Sequence, residues 1–332
     1  MTARPEATRT AHLFEGMSLP LSYASSLALT LACCRAGVIA GWQGGNVRTE
    51  AEFASILDAI TRAETEAADA GRPFAPHAVN LPAFVVHDPE LGAAKLKLCR
   101  KHRVPLVFSC LGDPSEIVRQ AHDWGCIVIH DSTSVRHAEK ALAAGVDGLM
   151  LTCAGAGGQS GDLSPFAFVP AVRRSFDGLL LVGGGIADAA GMTAALALGA
   201  DIAVMGTRFI ATAESGASEG HKAMIAASGI GDIVLSDRIN GLAANWLRPS
   251  LERVGLDPDS LPEKRSPRQA GALPEGVRPW RDIWSAGHSA ALIDEVAPVS
   301  ALVARLAEDF SCSPYAAEWR ERLSRRMDAI DA

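Results

Sequence analysis

Residues 182–186 read Val-Gly-Gly-Gly-Ile and residues 205–209 read Met-Gly-Thr-Arg-Phe, and these two stretches decide the fold. Each ends a short apolar run that is typical of a buried strand, and a segment that can start a helix follows each one. Glycines at strand ends leave backbone N–H groups unshielded, and the positive end of the next helix lies at the same place. Two consecutive turns of this kind predict a phosphate pocket at the last two strands of a (β/α)₈ barrel.

Short apolar runs alternate with amphipathic stretches along the chain. Eight runs are predicted to be strands: Leu19–Tyr23, Gly37–Ala40, His77–Leu81, Pro105–Cys110, Cys126–His130, Gly148–Thr152, Leu179–Val182 and Ile202–Met205. Helices are predicted between them, among others at Glu50–Ala70, Glu90–Arg103, Pro114–Trp124, Ser134–Ala144 and Ala189–Leu198. Apolar strands separated by helices indicate a parallel sheet covered on both faces. Eight such units, with no Gly-x-Gly-x-x-Gly after the first strand, favour an α/β fold closed into a TIM barrel over an open sheet.

The alternating pattern ends after the eighth predicted strand. Residues 214–285 combine helical stretches with scattered Gly and Pro and a polar part at 257–278, which predicts a mostly helical cap over the barrel mouth. A structural or dimer-forming role for this segment is an equal alternative. The predicted barrel comprises residues 15–213 and 286–310. Closing helices are expected at Ala290–Ala307 and Pro314–Met327, the latter within a C-terminal unit at 311–332.

Composition excludes several classes of protein. The net charge is −7 and Lys and Arg form no cluster, which argues against a nucleic-acid partner. The first residues lack the apolar core of a signal peptide, and no apolar run is long enough for a bilayer, so we expect a cytoplasmic protein without a membrane partner. Seven cysteines without Cys-x-x-Cys spacing are expected to be reduced and mostly buried, and no metal-ligand motif is present.

Several motifs agree in their spacing with one known family. They are Pro20-Leu21, Pro73-Phe74 followed by Asn80, Ala156-Gly157-Gly158-Gln159-Ser160-Gly161, Gly184-Gly185-Ile186, Leu198-Gly199-Ala200-Asp201, Met205-Gly206-Thr207-Arg208-Phe209 and Glu214-Ser215. Over residues 18–305 the chain resembles the nitronate monooxygenases, formerly called 2-nitropropane dioxygenases. It is similar over the same motifs to FMN-dependent enoyl-thioester reductases. The resemblance implies a TIM barrel with bound FMN and an active site under a cap.

The resemblance also implies a cofactor-binding set. This set is Leu21, Ser22, Asn80, Thr152, Gly157, Gly158, Gly184, Gly185, Met205, Gly206 and Thr207. Asn80 matches an asparagine that hydrogen-bonds the flavin ring, for which an amide that both donates and accepts is suited. Thr152 stands where the family commonly has a glutamine near the ring. The last five residues of the set match the phosphate-binding turns.

Gln159 is the main departure from the family pattern. The best-understood nitronate monooxygenases have a histidine there, which is taken to act as the base near the substrate α-carbon. An amide has no pKa near neutrality, so Gln159 can orient a carbonyl or nitro oxygen but cannot carry a proton. Either the substrate arrives already deprotonated, or another residue supplies the proton, or the reaction differs.

Two histidines are candidates for the missing proton carrier. His130 ends the fifth predicted strand and is followed by Asp131, which could hold a titrating imidazole at the catalytic face. A purely structural role for His130 stays open. His288 matches the segment that returns from the cap toward the flavin in the family. His221 and Lys222 are predicted on a solvated helix face.

Three functional hypotheses follow. The first is an FMN-dependent oxidoreductase that oxidises alkyl nitronates with O₂, with Gln159, His130 and His288 as the catalytic candidates. The second is an FMN-dependent reductase or dehydrogenase that acts on an enone or an enoyl-CoA-type thioester with NAD(P)H. The third is a flavin- or phosphate-binding barrel that has lost its chemistry. A small-molecule substrate is expected under the first two, and a homodimer stays open.

Overall fold

A parallel sheet forms the centre of the protein. The computed structural model describes residues 25–84, 88, 90–266 and 269–331. Its strands are β1 (Ala40–Trp42), β2 (His77–Pro82), β3 (Leu106–Cys110), β4 (Ile127–Ser132), β5 (Gly148–Thr152), β6 (Gly158–Gln159), β7 (Leu179–Gly183), β8 (Ile202–Val204), β9 (Ile233–Ser236) and β10 (Ala244–Leu247). Seven of them pair in the order β1-β2-β3-β4-β5-β7-β8, all parallel. This sequential order confirms the α/β barrel type, while the first predicted strand, Leu19–Tyr23, lies outside the described residues.

Helices follow the strands as the sequence pattern predicts. They are α1 (Leu27–Arg35), α2 (Glu50–Asp69), α3 (Leu91–Lys101), α4 (Ser115–Ala121), α5 (Val135–Ala143), α6 (Pro165–Arg173), α7 (Ala189–Ala197), α8 (Thr207–Ile210), α9 (Glu219–Ala226), α10 (Arg248–Arg253), α11 (Val299–Ser311) and α12 (Ala316–Asp331). Side chains cap several N-termini: Thr49, Ser134 and Asp188 each accept a hydrogen bond from the backbone N–H three residues later. These caps set the starts of α2, α5 and α7 close to the predicted positions.

One apolar core joins the strands to the surrounding helices. Buried residues of β3, β4, β5 and β7 form it together with apolar residues of α1, α2, α7 and α11. Five of the seven cysteines are buried and all seven are free thiols. The prediction that the cysteines are mostly buried is therefore confirmed, with Cys110 half-buried and Cys312 exposed as the exceptions.

Residues 214–285 are not mostly helical, which corrects one expectation. They contain α9 and α10, but also β9 and β10, which pair antiparallel with each other. β10 also pairs antiparallel with β6, so that Ala244 lies opposite Gln159 and Asn245 opposite Gly158. β-Branched and aromatic residues in β9 and β10 favour this extended structure. The segment is consequently hydrogen-bonded to a loop of the barrel.

The C-terminal helices begin later than predicted. Residues His288–Leu292 form a short 3₁₀ helix, and α11 begins only at Val299, directly after Pro298. The Glu214 carboxylate accepts the free N–H of Val299 at 3.0 Å. α12 then packs on the barrel, where Trp319 Nε1 donates to the carbonyl of Asp201. In the described part of the chain, no helix combines the length and the apolar character that crossing a bilayer requires.

Candidate active site

A cavity of about 720 Å³ lies at the carboxyl ends of the parallel strands. Residues at or just after the ends of β2, β3, β4, β5, β7 and β8 form its floor. The 214–285 segment covers it from the other side with Ala217, His221, Leu242, Trp280 and Trp284. The carboxyl face is where barrels of this type carry their active sites, because the loops after the strands meet there.

Most of the sequence-predicted residues come together in this cavity. Its lining includes Asn80, Thr152, Gly157, Gly158, Gln159, Gly184, Gly185, Gly206 and Thr207. Met205 does not line it, because its side chain points into the core and is only 1% exposed. Leu21 and Ser22 lie outside the described residues.

The glycine turn after β7 forms an open cradle. Gly184 and Gly185 have φ angles of +137° and +73°, which favour glycine. A Cβ on Gly184 would lie 2.9 Å from the carbonyl oxygen of Ala154, whereas a Cβ on Gly185 would meet nothing within 4 Å and would occupy the open space. Gly206 and Thr207 line the same cavity one strand later. The two turns together leave room and backbone donors for an anionic group.

The loop that carries Gln159 is held by the 214–285 segment. The Asn245 side chain donates to the carbonyl of Ala156 at 2.7 Å, and the N–H of Gly158 donates to the Ser285 hydroxyl at 2.7 Å. Gly157 lies close to Thr207 and Gly287: a Cβ on Gly157 would be 2.9 Å from the Thr207 hydroxyl oxygen and 2.9 Å from the backbone nitrogen of Gly287. Gln159, which is half-buried, is thereby fixed at the cavity wall.

Polar side chains from neighbouring strands line the cavity floor. Asn80 Nδ2 donates to Cys110 Sγ at 3.8 Å, and the Thr152 hydroxyl donates to Asp131 Oδ1 at 2.5 Å. Burial raises the pKa of Asp131 to about 6, although the hydrogen bond from Thr152 opposes this shift. Burial, with Asp131 as a second cause, raises the pKa of the Cys110 thiol to about 12. Asp131 is therefore a carboxyl that titrates close to neutral pH.

His130 does not lie in the cavity, contrary to the expectation for a catalytic group. Side chains alternate along a strand, so Asp131 faces the cavity and His130 faces away from it. His130 Nδ1 is hydrogen-bonded to the Ser109 hydroxyl at 2.7 Å, and the side chain is buried. Burial lowers the pKa of His130 to about 4, so the imidazole is neutral at pH 7. The structural alternative fits this residue.

His288 also lies outside the cavity lining. Its side chain is exposed and packs beside Gly155, where a Cβ would be 3.0 Å from His288 Nδ1. The neighbouring Ser289 lines the cavity instead. The segment at 285–289 therefore reaches the cavity, but the His288 imidazole does not line it.

His221 and Lys222 are not on a solvated face, which corrects a further expectation. His221 lines the cavity, stacks on Trp284 with ring centroids 5.2 Å apart and is hydrogen-bonded through Nε2 to the carbonyl of Ser285. Burial lowers its pKa. Lys222 is buried and donates to the carbonyl of Ala213 and to Glu219. The short helix α9 is too brief for periodicity to assign its faces from sequence.

A parallel α/β barrel with glycine turns at two neighbouring strand ends, beside a covered polar cavity, is the arrangement typical of barrel enzymes with phosphorylated cofactors. Comparison with sequence profiles of known families matches residues 61–309 to nitronate monooxygenase. The chain therefore belongs to the nitronate monooxygenase family, whose members are flavin-dependent oxidoreductases.

Individual relatives fall into more than one activity class. A nitronate monooxygenase from Paraburkholderia phytofirmans is 28% identical over 66% of this chain and 64% of its own length. A (3aS,4S,5R,7aS)-5-hydroxy-7a-methyl-1-oxo-octahydro-1H-indene-4-carboxyl-CoA dehydrogenase from Rhodococcus jostii is 27% identical over 60% of this chain and 54% of its own. The chain thus spans roughly half to two thirds of these relatives. The structure of FabK from Thermotoga maritima superimposes with a TM-score of 0.68 at 26% identity, covering 93% of this chain and 97% of that one.

Proposed function

We propose that the protein is an FMN-dependent oxidoreductase that oxidises alkyl nitronates or similar anions formed by loss of a proton from carbon. The observation that carries the proposal is that Gln159, an uncharged amide, is held at the cavity wall. The resemblance to the family puts a histidine base at this position. A nitronate has already lost its α-proton, so its oxidation needs hydrogen-bond donors for the nitro oxygens and no base. The Gln159 amide supplies such donors.

The described residues fit FMN. Its phosphate would lie in the cradle of Gly184, Gly185, Gly206 and Thr207, where the space beside Gly185 is open. Asn80 offers an amide to the ring at the cavity floor. When bound, the flavin accepts electrons from the substrate and passes them to O₂. The protein's own part is to position the substrate with Gln159 and to keep water out with Trp280 and Trp284.

The test begins with the visible spectrum of the purified protein. A colourless protein that cannot be reconstituted with FMN would exclude the proposal. Stopped-flow mixing with an alkyl nitronate under anaerobic conditions should then bleach the flavin absorbance, and O₂ should restore it. A flavin that stays oxidised with nitronates contradicts the assigned substrate class while leaving the cofactor intact.

A second candidate function has its own support. Phe84, Leu111 and Leu242 place exposed apolar surface at the cavity, and Phe84 is 59% exposed. Such a rim suits a longer apolar substrate, such as a conjugated acyl thioester, and one relative is by name the dehydrogenase of an indene-carboxyl-CoA. Under this alternative NADH or NADPH reduces the flavin, nitronates do not, and an enone reoxidises it.

Variants at position 159 test the role of the amide. We expect Gln159→His to gain activity on neutral nitroalkanes at least tenfold, because the imidazole can accept the α-proton. Gln159→Leu removes the donors at similar volume and should raise the KM for nitronates at least tenfold. Equal activity of all three proteins on both substrates would show that position 159 does not face the substrate.

A further inference from the structure

Four side chains form what we call the polar row across the cavity floor: Asn80, Cys110, Asp131 and Thr152. They stand on the neighbouring strands β2, β3, β4 and β5, and two hydrogen bonds join them in pairs. The row leads directly to the glycine cradle, because Thr152 pairs with Gly183 in the sheet. The planar ring of a cofactor whose phosphate occupied the cradle would have the polar row within the same cavity.

Asp131 is the acidic member of the polar row. Hydrogen bonds from the Thr152 hydroxyl and the Ser132 backbone favour its ionised form, but no cation in the described part of the chain compensates its charge. Within the described residues, no Lys, Arg or His lies within ion-pair distance of its carboxylate. Cys110 and Cys153 face it from the adjacent strands as neutral thiols, because burial raises the pKa of each to about 12. From the covering side, Arg281 is engaged with Asp282 and His221 with the Ser285 carbonyl.

We propose that Asp131 takes up a proton when the flavin binds and meets the ring as a neutral acid, so that one carboxyl couples cofactor affinity to pH. The proposal rests on the proposed function, since it takes FMN as the occupant of the cavity.

The physical reason is desolvation. A ring seated on the polar row removes the remaining water from Asp131, and an ionised carboxylate without a cation is costly in that position. The neutral acid can instead donate a hydrogen bond to an acceptor at the ring edge, while Thr152 still donates to its other oxygen. Before the ring arrives, the pKa of Asp131 is about 6, so the carboxyl is ionised at pH 8. A complex in which it is neutral therefore takes up about one proton per FMN at that pH.

The sign of the effect separates Asp131 from the cofactor's own phosphate. The second ionisation of a phosphate monoester falls near pH 6, and the dianion binds to a cationic or N–H-rich site more tightly than the monoanion does. The phosphate alone would therefore make FMN affinity rise with pH. Protonation of Asp131 acts in the opposite direction. The ratio of the Kd of the wild type to that of Asp131→Asn cancels the phosphate effect, because both proteins bind the same FMN.

The experiment is a titration of the flavin-free chain with FMN at several pH values between 5 and 8.5. Quenching of the flavin fluorescence reports binding. The Kd ratio of wild type to Asp131→Asn should rise about 50-fold from pH 6 to pH 8. The reason is that Asp131, with a pKa of about 6 in the free protein, must be protonated when FMN binds. The variant Asp69→Asn, which alters an exposed carboxyl at the end of α2, should follow the wild type.

Proton uptake provides a second measurement on the unaltered protein. Calorimetry at pH 8 in two buffers of different ionisation enthalpy should give about one proton per FMN bound to the wild type. A Kd ratio that is constant with pH, or no proton uptake while FMN binds, would overturn the proposal. FMN that binds to none of these proteins at any pH would contradict the proposed function instead.

Discussion

At the scale of single residues, two adjacent glycines are expected to respond differently to the same substitution. Gly184→Ala places a Cβ against the Ala154 carbonyl at a φ of +137°, so it should cost about 1–3 kcal/mol of unfolding free energy. Gly185→Ala meets no atom within 4 Å and pays only the smaller cost of a left-handed alanine, about 1–2 kcal/mol. Its Cβ enters the cradle, however, and FMN affinity should fall at least tenfold. Urea unfolding and FMN titration of both variants measure the two effects. A Gly185→Ala protein with unchanged FMN affinity would place the phosphate elsewhere.

His130 predicts a dependence of stability on pH. Its pKa is about 4 in the folded protein, well below the value of about 6.5 for an exposed imidazole. Between pH 4 and pH 6.5 the His130 imidazole is therefore protonated in the unfolded chain but not in the folded protein. The contribution of neutral His130 to the free energy of unfolding is complete above pH 6.5 and is lost as the pH falls toward 4. The loss should amount to about 3 kcal/mol.

Urea unfolding from pH 7 to pH 4.5 checks this, with His130→Gln as the comparison. His77, whose pKa burial also lowers to about 4, adds the same slope to both proteins, so the difference between them isolates His130. Equal slopes would mean that His130 is not buried as a neutral side chain.

The sequence places a polar pair, His130 and Asp131, at the end of β4 and proposes His130 as the candidate, whereas Asp131 is the one of the two that lines the cavity. His130 and Asp131 both stand at the strand end, and only the phase of the side-chain alternation decides which one faces the cavity. In a strand buried on both faces, the apolar residues on either side give no indication of that phase. Gly184 and Gly185 are easier to place in the site from sequence. What they contribute is backbone conformation, which does not depend on the face of the strand to which a side chain points.

At the scale of elements, the link between β10 and the Gln159 loop can be tested at Ser285. Its hydroxyl accepts from the N–H of Gly158 and donates to the carbonyl of Asn245 at 2.6 Å. Ser285→Ala leaves both groups unpaired in a buried position, which should cost about 1–3 kcal/mol. Hydrogen exchange of residues 156–160 should become at least tenfold faster.

The matched control is Ser311→Ala, because the exposed Ser311 hydroxyl donates only to the Glu308 carbonyl within α11. This variant should leave exchange at 156–160 unchanged. Unchanged exchange in Ser285→Ala as well would mean that the strand pairing alone holds the loop.

The sequence predicts the barrel strands and helices but not the antiparallel sheet of β6, β10 and β9, and the range of the signal explains the difference. Parallel strands such as β3 and β5 are continuous apolar runs between helices, and that pattern is local. β6 has two residues, and its partner β10 lies far along the chain. A pairing of that kind leaves no periodic signal in either segment, so a helical cap was expected instead.

At the scale of the whole molecule, α12 fastens the end of the barrel opposite the cavity. Asp201 directly precedes β8 and is fully buried, with Arg173 at 2.6 Å and Arg322 at 3.4 Å. Trp319 is 1% exposed, donates to the Asp201 carbonyl and packs edge-on against Phe310 at 5.7 Å between ring centroids. Trp319→Ala should therefore cost about 3–5 kcal/mol of unfolding free energy.

Because this contact lies away from the cavity, the Trp319→Ala protein that remains folded should bind FMN with unchanged affinity. Arg325→Ala, which removes an exposed pair with Glu321 on the same helix, should change stability by less than about 0.5 kcal/mol. Thermal unfolding and FMN titration of both variants give the comparison. A loss of FMN affinity in Trp319→Ala would show that the two ends of the barrel are coupled.

The pairing of Gly158–Gln159 with Ala244–Asn245 also has a consequence for synthesis. Asn245 follows Ala156 by 89 residues, so a growing chain completes the seven strands of the parallel sheet well before the partner of the Gln159 loop has left the ribosome. Domains fold progressively as they emerge, at about 5–20 residues per second. The barrel sheet can therefore form while the loop is still unpaired for several seconds. A nascent chain halted before residue 244 should be folded in its sheet and yet open to protease at residues 156–160.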